Sequence, residues 1–97
     1  ENMLCTQVIS MQNRGLVPNK ESSIAKLFSS ELDVRISRTA MKVLGMYGQL
    51  RAGSPYVAAN GRVESTYLYA TTSTVGGGTS EIQRNIIASR GLGMPRD

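Results

Sequence analysis

Leu4, Val8 and Met11 recur at helical spacing, and Cys5 and Ile9 widen the stripe they make. This predicts a helix over residues 1–14, with Arg14 in its last turn and Gly15 as its stop. Pro18-Asn19 punctuates the chain, with Asn19 placed as an N-cap and Glu21 in the turn after it. The longest apolar period follows, over about residues 20–45. Ile24, Leu27, Phe28, Leu32, Ile36, Ala40, Val43 and Leu44 form a broad face expected to be buried. Lys26, Ser29, Ser30, Asp33 and Ser37 fall on the side expected to be wet. A connection this short makes the two helices antiparallel neighbours.

Residues 49–63 carry no strong period. Gly53-Ser54-Pro55 and Asn60-Gly61 are turn signals, and the flanks of Asn60-Gly61 do not alternate as hairpin strands would. A surface loop is expected. Residues 64–73 are ambiguous, since Tyr67, Leu68, Tyr69 and the threonines favour strands, but their length and helical neighbours predict a short helix. Tyr67 and Tyr69 cannot share one helix face, so at most one is expected to be well buried. Gly76-Gly77-Gly78 then runs into Thr79-Ser80, and an apolar period carried by Ile82, Ile86 and Ile87 predicts a last helix over about residues 80–90. Ser80 and Gln83 have the spacing of a capping box, and Pro95 bars any return to helix. The pattern as a whole is all-α.

Composition narrows the function classes. With 97 residues there is one small domain at most, marginal on its own. The chain opens at Glu1 inside a helical pattern, which suits a segment of a longer protein. Hydrophobic content of 40% and charge content of 19% are those of a globular chain, not a disordered one. One cysteine allows no intrachain disulfide and favours a reducing compartment. Cys5 reads as a small core residue, and Glu1 four residues before it would raise the thiol pKa. Without histidine the chain lacks the commonest metal ligand and general base, and no metal site is expected. No apolar run has the length of a membrane span, and no signal peptide is visible.

The net charge of +4 could suit nucleic acid, an acidic surface or a phosphate-bearing cofactor. There is no Lys/Arg run and no aromatic set interleaved with basic residues, so nucleic acid is not expected as a partner. A small basic helical adaptor for nucleic acid or an acidic partner remains a distant alternative. Glu31, Arg35, Arg38 and Lys42 share one face of the long helix. That face reads either as solvated or as an anion contact or charged subunit interface.

Three glycines before a capped helix are compatible with a flexible linker. They are also compatible with a binding turn whose amides meet an anion. The glycine spacing fits neither the phosphate loop of nucleotide hydrolases nor the dinucleotide fingerprint. Residue identities go further. Gly77-Gly78-Thr79-Ser80-Glu81-Ile82-Gln83-Arg84-Asn85-Ile86-Ile87-Ala88, with the ending Leu92-Gly93-Met94-Pro95-Arg96, resembles the C-terminal signature of the acyl-CoA dehydrogenases. Ala40-Met41-Lys42-Val43-Leu44-Gly45-Met46-Tyr47-Gly48 resembles a second motif of that family.

The resemblance implies an up-down helical bundle, FAD as cofactor and an acyl-CoA thioester as substrate, converted to the 2-enoyl-CoA. It implies an electron-transfer flavoprotein-type acceptor and a homo- or hetero-oligomer, dimer or tetramer. It implies a bacterial cytoplasm, or a mitochondrial matrix in a eukaryote. By the same resemblance Thr79, Ser80 and Glu81 contact FAD, and Gly77 and Gly78 lie against substrate. Lys42, Gly45 and Gly48 would reach the diphosphate of a neighbouring subunit's FAD. The family usually has Gln where this chain has Lys42, which meets a diphosphate as a point charge. Many members place the catalytic Glu where this chain has Gly77, so no catalytic residue is assigned, and the base is expected upstream of Glu1. A non-catalytic partner subunit of the same architecture is the alternative.

Overall fold

The computed structural model describes residues 2–95. Glu1, Arg96 and Asp97 lie outside the described residues, and with them the reading of Glu1 beside Cys5 and the Arg96 end of the signature. Among the described residues the chain is helical and without strands: α1 Asn2–Asn13, α2 Asn19–Leu44, α3 Arg62–Ser73 and α4 Ser80–Ile86. Short 3-10 turns cover Gly45–Gln49 and Ala59–Gly61, and a π turn covers Ile87–Gly91. The chain divides into two compact units. One joins the residues up to Ser29 with those from Gly77 onward, and the other is Ser30–Gly76.

In the first unit, α1 ends in a Schellman motif. Leu16 N–H donates to Met11 O at 3.0 Å and Gly15 N–H to Gln12 O at 2.9 Å, with Gly15 at φ 72°. α1 buries no residue. Cys5 is exposed, contrary to the expected core position. The apolar stripe of α1 is only partly covered within this chain, and Cys5 lies on its rim.

α2 begins one residue earlier than a cap at Asn19 requires. Ser22 N–H donates to Pro18 O at 3.0 Å, so Asn19 is already helical. The Asn19 side chain instead accepts from Arg90 Nη1 at 3.0 Å. A Cβ on Gly91 would come within 3.5 Å of the Lys20 side chain, and Lys26 reaches Gly78. The start of α2 therefore meets the end of the chain's last helical stretch, and a point two turns along α2 meets its beginning. The two run antiparallel.

The buried line of α2 is not the expected one. Ser23, Ser30 and Ser37 are buried, Ser37 to 2% exposure, while Ile36 is exposed and Val43 is 78% exposed. This corrects the placement of Ser30 and Ser37 on the wet side. A serine hydroxyl can satisfy itself within its own helix, as Ser37 Oγ does by donating to Val34 O at 3.0 Å. A seven-residue spacing drifts only about 20° around a helix, so the three serines make one narrow line of small side chains. Small residues let neighbouring backbone come close, and the larger apolar side chains are left pointing elsewhere.

In the second unit, α2 stops at Gly45, which takes φ 56°. Gly48 is buried against the same helix: a Cβ there would lie 3.1 Å from Met41 Sδ. The loop after it is tied to α3 by Arg51 Nε, 3.0 Å from Glu64 Oε1. Ala59, Asn60 and Gly61 take positive φ in succession, of 49°, 53° and 76°, just before α3. Tyr67 and Tyr69 are both exposed, so neither is well buried. Proline aside, Ala70 is the only aliphatic or aromatic side chain fully withdrawn from solvent among the described residues, at 2% exposure. Burial of large apolar side chains supplies most of a fold's stability. These helices therefore present apolar faces with little cover of their own.

Candidate functional site

The first unit builds the glycine turn and the start of α4 into one constellation. Gly77 and Gly78 take φ 73° and 99°, a region that L side chains enter only at a cost. Lys26 Nζ donates to Gly78 O at 2.8 Å, and Gln83 Nε2 donates to Gly77 O at 2.9 Å. In a trans peptide the N–H lies opposite the C=O. The amides of Gly78 and Thr79 therefore face away from these two side chains. No heavy atom outside its chain neighbours lies within 4 Å of where a Cβ on Gly77 would sit, so the backbone there is open.

The cap of α4 is Thr79, not Ser80. Ile82 N–H donates to Thr79 Oγ1 at 3.3 Å, and Thr79 is extended while Ser80 is already helical. Gln83, the expected reciprocal partner of a capping box, turns instead to Gly77 O and is buried. Glu81 is exposed. Its carboxyl is held below its ordinary pKa, first by its own backbone N–H and then by the Thr79 hydroxyl; desolvation opposes them, and the Arg84 charge adds a lesser lowering. Glu81 is therefore an ionised acceptor at neutral pH. The Thr79 hydroxyl oxygen accepts from Ile82 N–H beside the Glu81 carboxyl, and the Thr79 amide faces away from Lys26.

α4 proper is seven residues long, and the chain then widens into the π turn to Gly91. Ser89 Oγ donates to Asn85 O at 2.8 Å there. Leu92 N–H lies 3.2 Å from both Ile87 O and Ala88 O. The expected single helix to Arg90 is thus two kinds of helix in series.

Lys42, Gly45 and Gly48 belong to the second unit. Lys42 lines an open pocket of about 610 Å³ with Arg38, Met41, Gln49 and Tyr67. Two cations one turn apart, an amide and a phenol suit an anion-bearing ligand. Gly45 is exposed with open space beside it, whereas Gly48 is packed on Met41. Gln49 and Tyr67 carried no motif, and Lys26 was placed on a wet face. Lys26 meets Gly78 across 52 positions, a separation that leaves no local signal in sequence. A second open groove, of about 690 Å³, is lined by apolar residues including Ile36, Val43, Leu44 and Val63. Among the described residues no cluster of His, Cys, Asp and Glu could hold a metal, and no helix is long and apolar enough to cross a membrane.

The family model for the acyl-CoA dehydrogenase C-terminal domain matches residues 2–92. The chain belongs to the acyl-CoA dehydrogenase family. It is 43% identical over 76 residues to acyl-CoA dehydrogenase FadE26 of Mycobacterium tuberculosis, covering 78% of this chain and 19% of that protein. The chain thus spans about a fifth of the length of this curated relative. Among solved structures, the Tcur3481-Tcur3483 steroid ACAD matches with a TM-score of 0.91 at 27% identity, over 99% of this chain and 25% of that one. The ChsE4-ChsE5 complex from Mycobacterium tuberculosis matches with a TM-score of 0.87 at 38% identity, over 99% and 25%. The all-helical architecture is that of the corresponding part of these family members.

Proposed function

We propose that this chain supplies part of the FAD site and of the subunit interface of a flavin-dependent acyl-CoA dehydrogenase. The observation that carries the reading is the clamped glycine turn leading into Thr79, Ser80 and an ionised Glu81, on a chain of this family. The donor set fits FAD. The Thr79 amide and the Ser80 hydroxyl are donors for diphosphate oxygens, and Glu81 is an acceptor for a ribose hydroxyl or an adenine amine. The open backbone at Gly77 lets substrate approach without meeting a side chain, and Gly78 beside it is packed on Gln83. Lys42, with Arg38 and Gln49 beside it, adds positive charge toward the diphosphate of a neighbouring subunit's FAD, and exposed Gly45 leaves room for it. Gly48 serves the helix end that carries them, by close packing on Met41.

FAD, when bound, supplies hydride-accepting chemistry for dehydrogenation of an acyl-CoA to its 2-enoyl-CoA. This chain's residues bind and orient; none takes the α-proton, because Gly77 has no side chain. An acyl group of steroid class is the substrate we favour, on the likeness to a structure described as a steroid ACAD. An electron-transfer flavoprotein-type acceptor and a cytoplasmic location complete the reading. The test is the absorbance spectrum of the full-length protein, with and without acyl-CoA. A flavin spectrum bleached by substrate is expected, and a colourless protein that takes up no FAD refutes the reading. The isolated 97-residue chain is expected to hold no FAD and show no activity.

Gly77 favours a second reading, a non-catalytic subunit beside an active one. The two similar structures are described as pairs of different proteins, which suits such an assembly. Purified alone, the full-length protein would then bind FAD without being reduced, and mixing with its partner would restore turnover.

A further inference from the structure

Two side chains hold the glycine turn without themselves being assigned a contact to FAD. Lys26 Nζ donates to Gly78 O at 2.8 Å from α2, and Gln83 Nε2 donates to Gly77 O at 2.9 Å from α4. A glycine pair on its own takes either sign of φ with little preference. The peptide planes on either side of Gly78 therefore have no intrinsic reason to keep one orientation. Here each carbonyl has its own donor, one of them cationic and so the stronger kind. Gln83 also packs directly on the turn, since a Cβ at Gly78 would lie 2.8 Å from its Nε2. Both donors are withdrawn from bulk water, Gln83 buried and Lys26 half-buried, so water competes weakly for the two carbonyls.

We infer that Lys26 and Gln83 are positioning residues for cofactor binding. They clamp two successive peptide planes so that the Thr79 amide, Ser80 and Glu81 are presented in one arrangement. The inference rests on the reading of Thr79, Ser80 and Glu81 as FAD contacts. Ligand affinity falls in proportion to the fraction of molecules whose site is already in the binding conformation. Releasing one plane of a glycine turn spreads the molecules over several conformations, and affinity falls by that factor. Loss of a charge-assisted hydrogen bond at this point is expected to weaken FAD binding about tenfold.

The experiment uses the full-length protein as wild type, K26M, K26R and G78A, with K20M as control. Lys20 reaches Glu21 at 3.8 Å and is half exposed, so K20M is expected to match wild type. FAD is removed and titrated back by flavin fluorescence, and thermal unfolding is followed with and without saturating FAD. K26M is expected to raise the FAD Kd about tenfold and to narrow the Tm gap between apo and FAD-bound forms. K26R keeps a cationic donor and is expected to recover most of the affinity. G78A displaces the Gln83 amide and is expected to weaken FAD in the same direction, and it decides the matter if K26M does not fold. A purely structural role would lower both Tm values alike and leave Kd within about twofold of wild type. That outcome, in K26M or in a folded G78A, overturns the inference while the FAD reading stands. If the wild-type protein itself takes up no FAD, the reading of Thr79, Ser80 and Glu81 fails first, and the inference with it.

Discussion

Gly61 is the position where one methyl group should do the most local damage. A Cβ there would lie 2.6 Å from Ala52 N and 3.0 Å from Arg51 C, and φ is 76°. Both neighbours are main-chain atoms, so no side chain can swing away to make room. The left-handed conformation alone costs an alanine about 1–2 kcal/mol. Relieving a clash against backbone adds about 1–3 kcal/mol, the usual scale of overpacking. Gly61→Ala should therefore cost about 2–5 kcal/mol locally. Gly45→Ala is the matched control. Gly45 has φ 56° and nothing within 4 Å of its Cβ position, so it carries only the conformational cost. The difference isolates the contact. Hydrogen exchange in the full-length protein reads it, because the loop amides Ser54 N–H and Val57 N–H are bonded to Arg51 O and Ser54 O at 3.2 Å. A local loss of 1–3 kcal/mol accelerates their exchange about 5- to 150-fold through local opening. If Gly61→Ala accelerates exchange over residues 51–61 no more than Gly45→Ala does around its own site, the packing argument is wrong.

Ser37→Ala should change stability by less than about 1 kcal/mol, since its hydroxyl bonds only its own helix in the structure, whereas Ser37→Leu should cost about 1–3 kcal/mol by overpacking; denaturant midpoints of the full-length protein check both. Glu64→Gln should cost no more than about 0.5 kcal/mol, because Arg51 is 76% exposed and water screens the pair; a loss above 1 kcal/mol would refute that ranking. Thr79→Val should cost about 1 kcal/mol of cap and bring the Glu81 pKa back toward its ordinary value, read by carboxylate NMR or by the acid limb of unfolding. The sign follows from the lowered folded pKa: Glu81 stabilises above the ordinary carboxylate range, and its contribution is lost as pH falls through the folded value. Glu81→Gln should therefore flatten the acid limb below the ordinary carboxylate pKa and leave the slope near neutrality unchanged.

The elements were legible because helix stops are local chemistry. Gly15 at φ 72° and Gly45 at φ 56° end α1 and α2 where glycine in sequence marks an end. The buried line of α2 was not legible. Hydropathy ranks Ile36 and Val43 above Ser30 and Ser37, yet the serines are inside. Burial on a helix is decided by how closely the neighbour approaches, and a self-bonded serine permits an approach that an isoleucine blocks. Cys5 failed for a related reason: an apolar stripe says which face wants cover, not whether this chain supplies it. The cap of α4 moved by one residue because Gln83, four positions beyond Thr79, serves the turn rather than the helix start.

The adjacent glycines of the turn are glycine for different reasons, and sequence alone makes them look alike. At Gly78 a side chain is barred by contact, since Gln83 Nε2 would lie 2.8 Å from its Cβ. At Gly77 nothing within 4 Å would oppose one, and only the φ of 73° selects against it. That selection is worth about 1–2 kcal/mol, an amount that a functional side chain at an active site can override. The empty position is therefore not forced on the chain by crowding. Its backbone is held by Lys26 and Gln83, which need only the carbonyls of Gly77 and Gly78 and are indifferent to what stands at position 77. A turn built in this way keeps its shape whether or not it carries a carboxylate, so on the proposed reading binding and proton abstraction are separable. The two carbonyl bonds that fix the turn ahead of Thr79, Ser80 and Glu81 are intact with glycine at position 77.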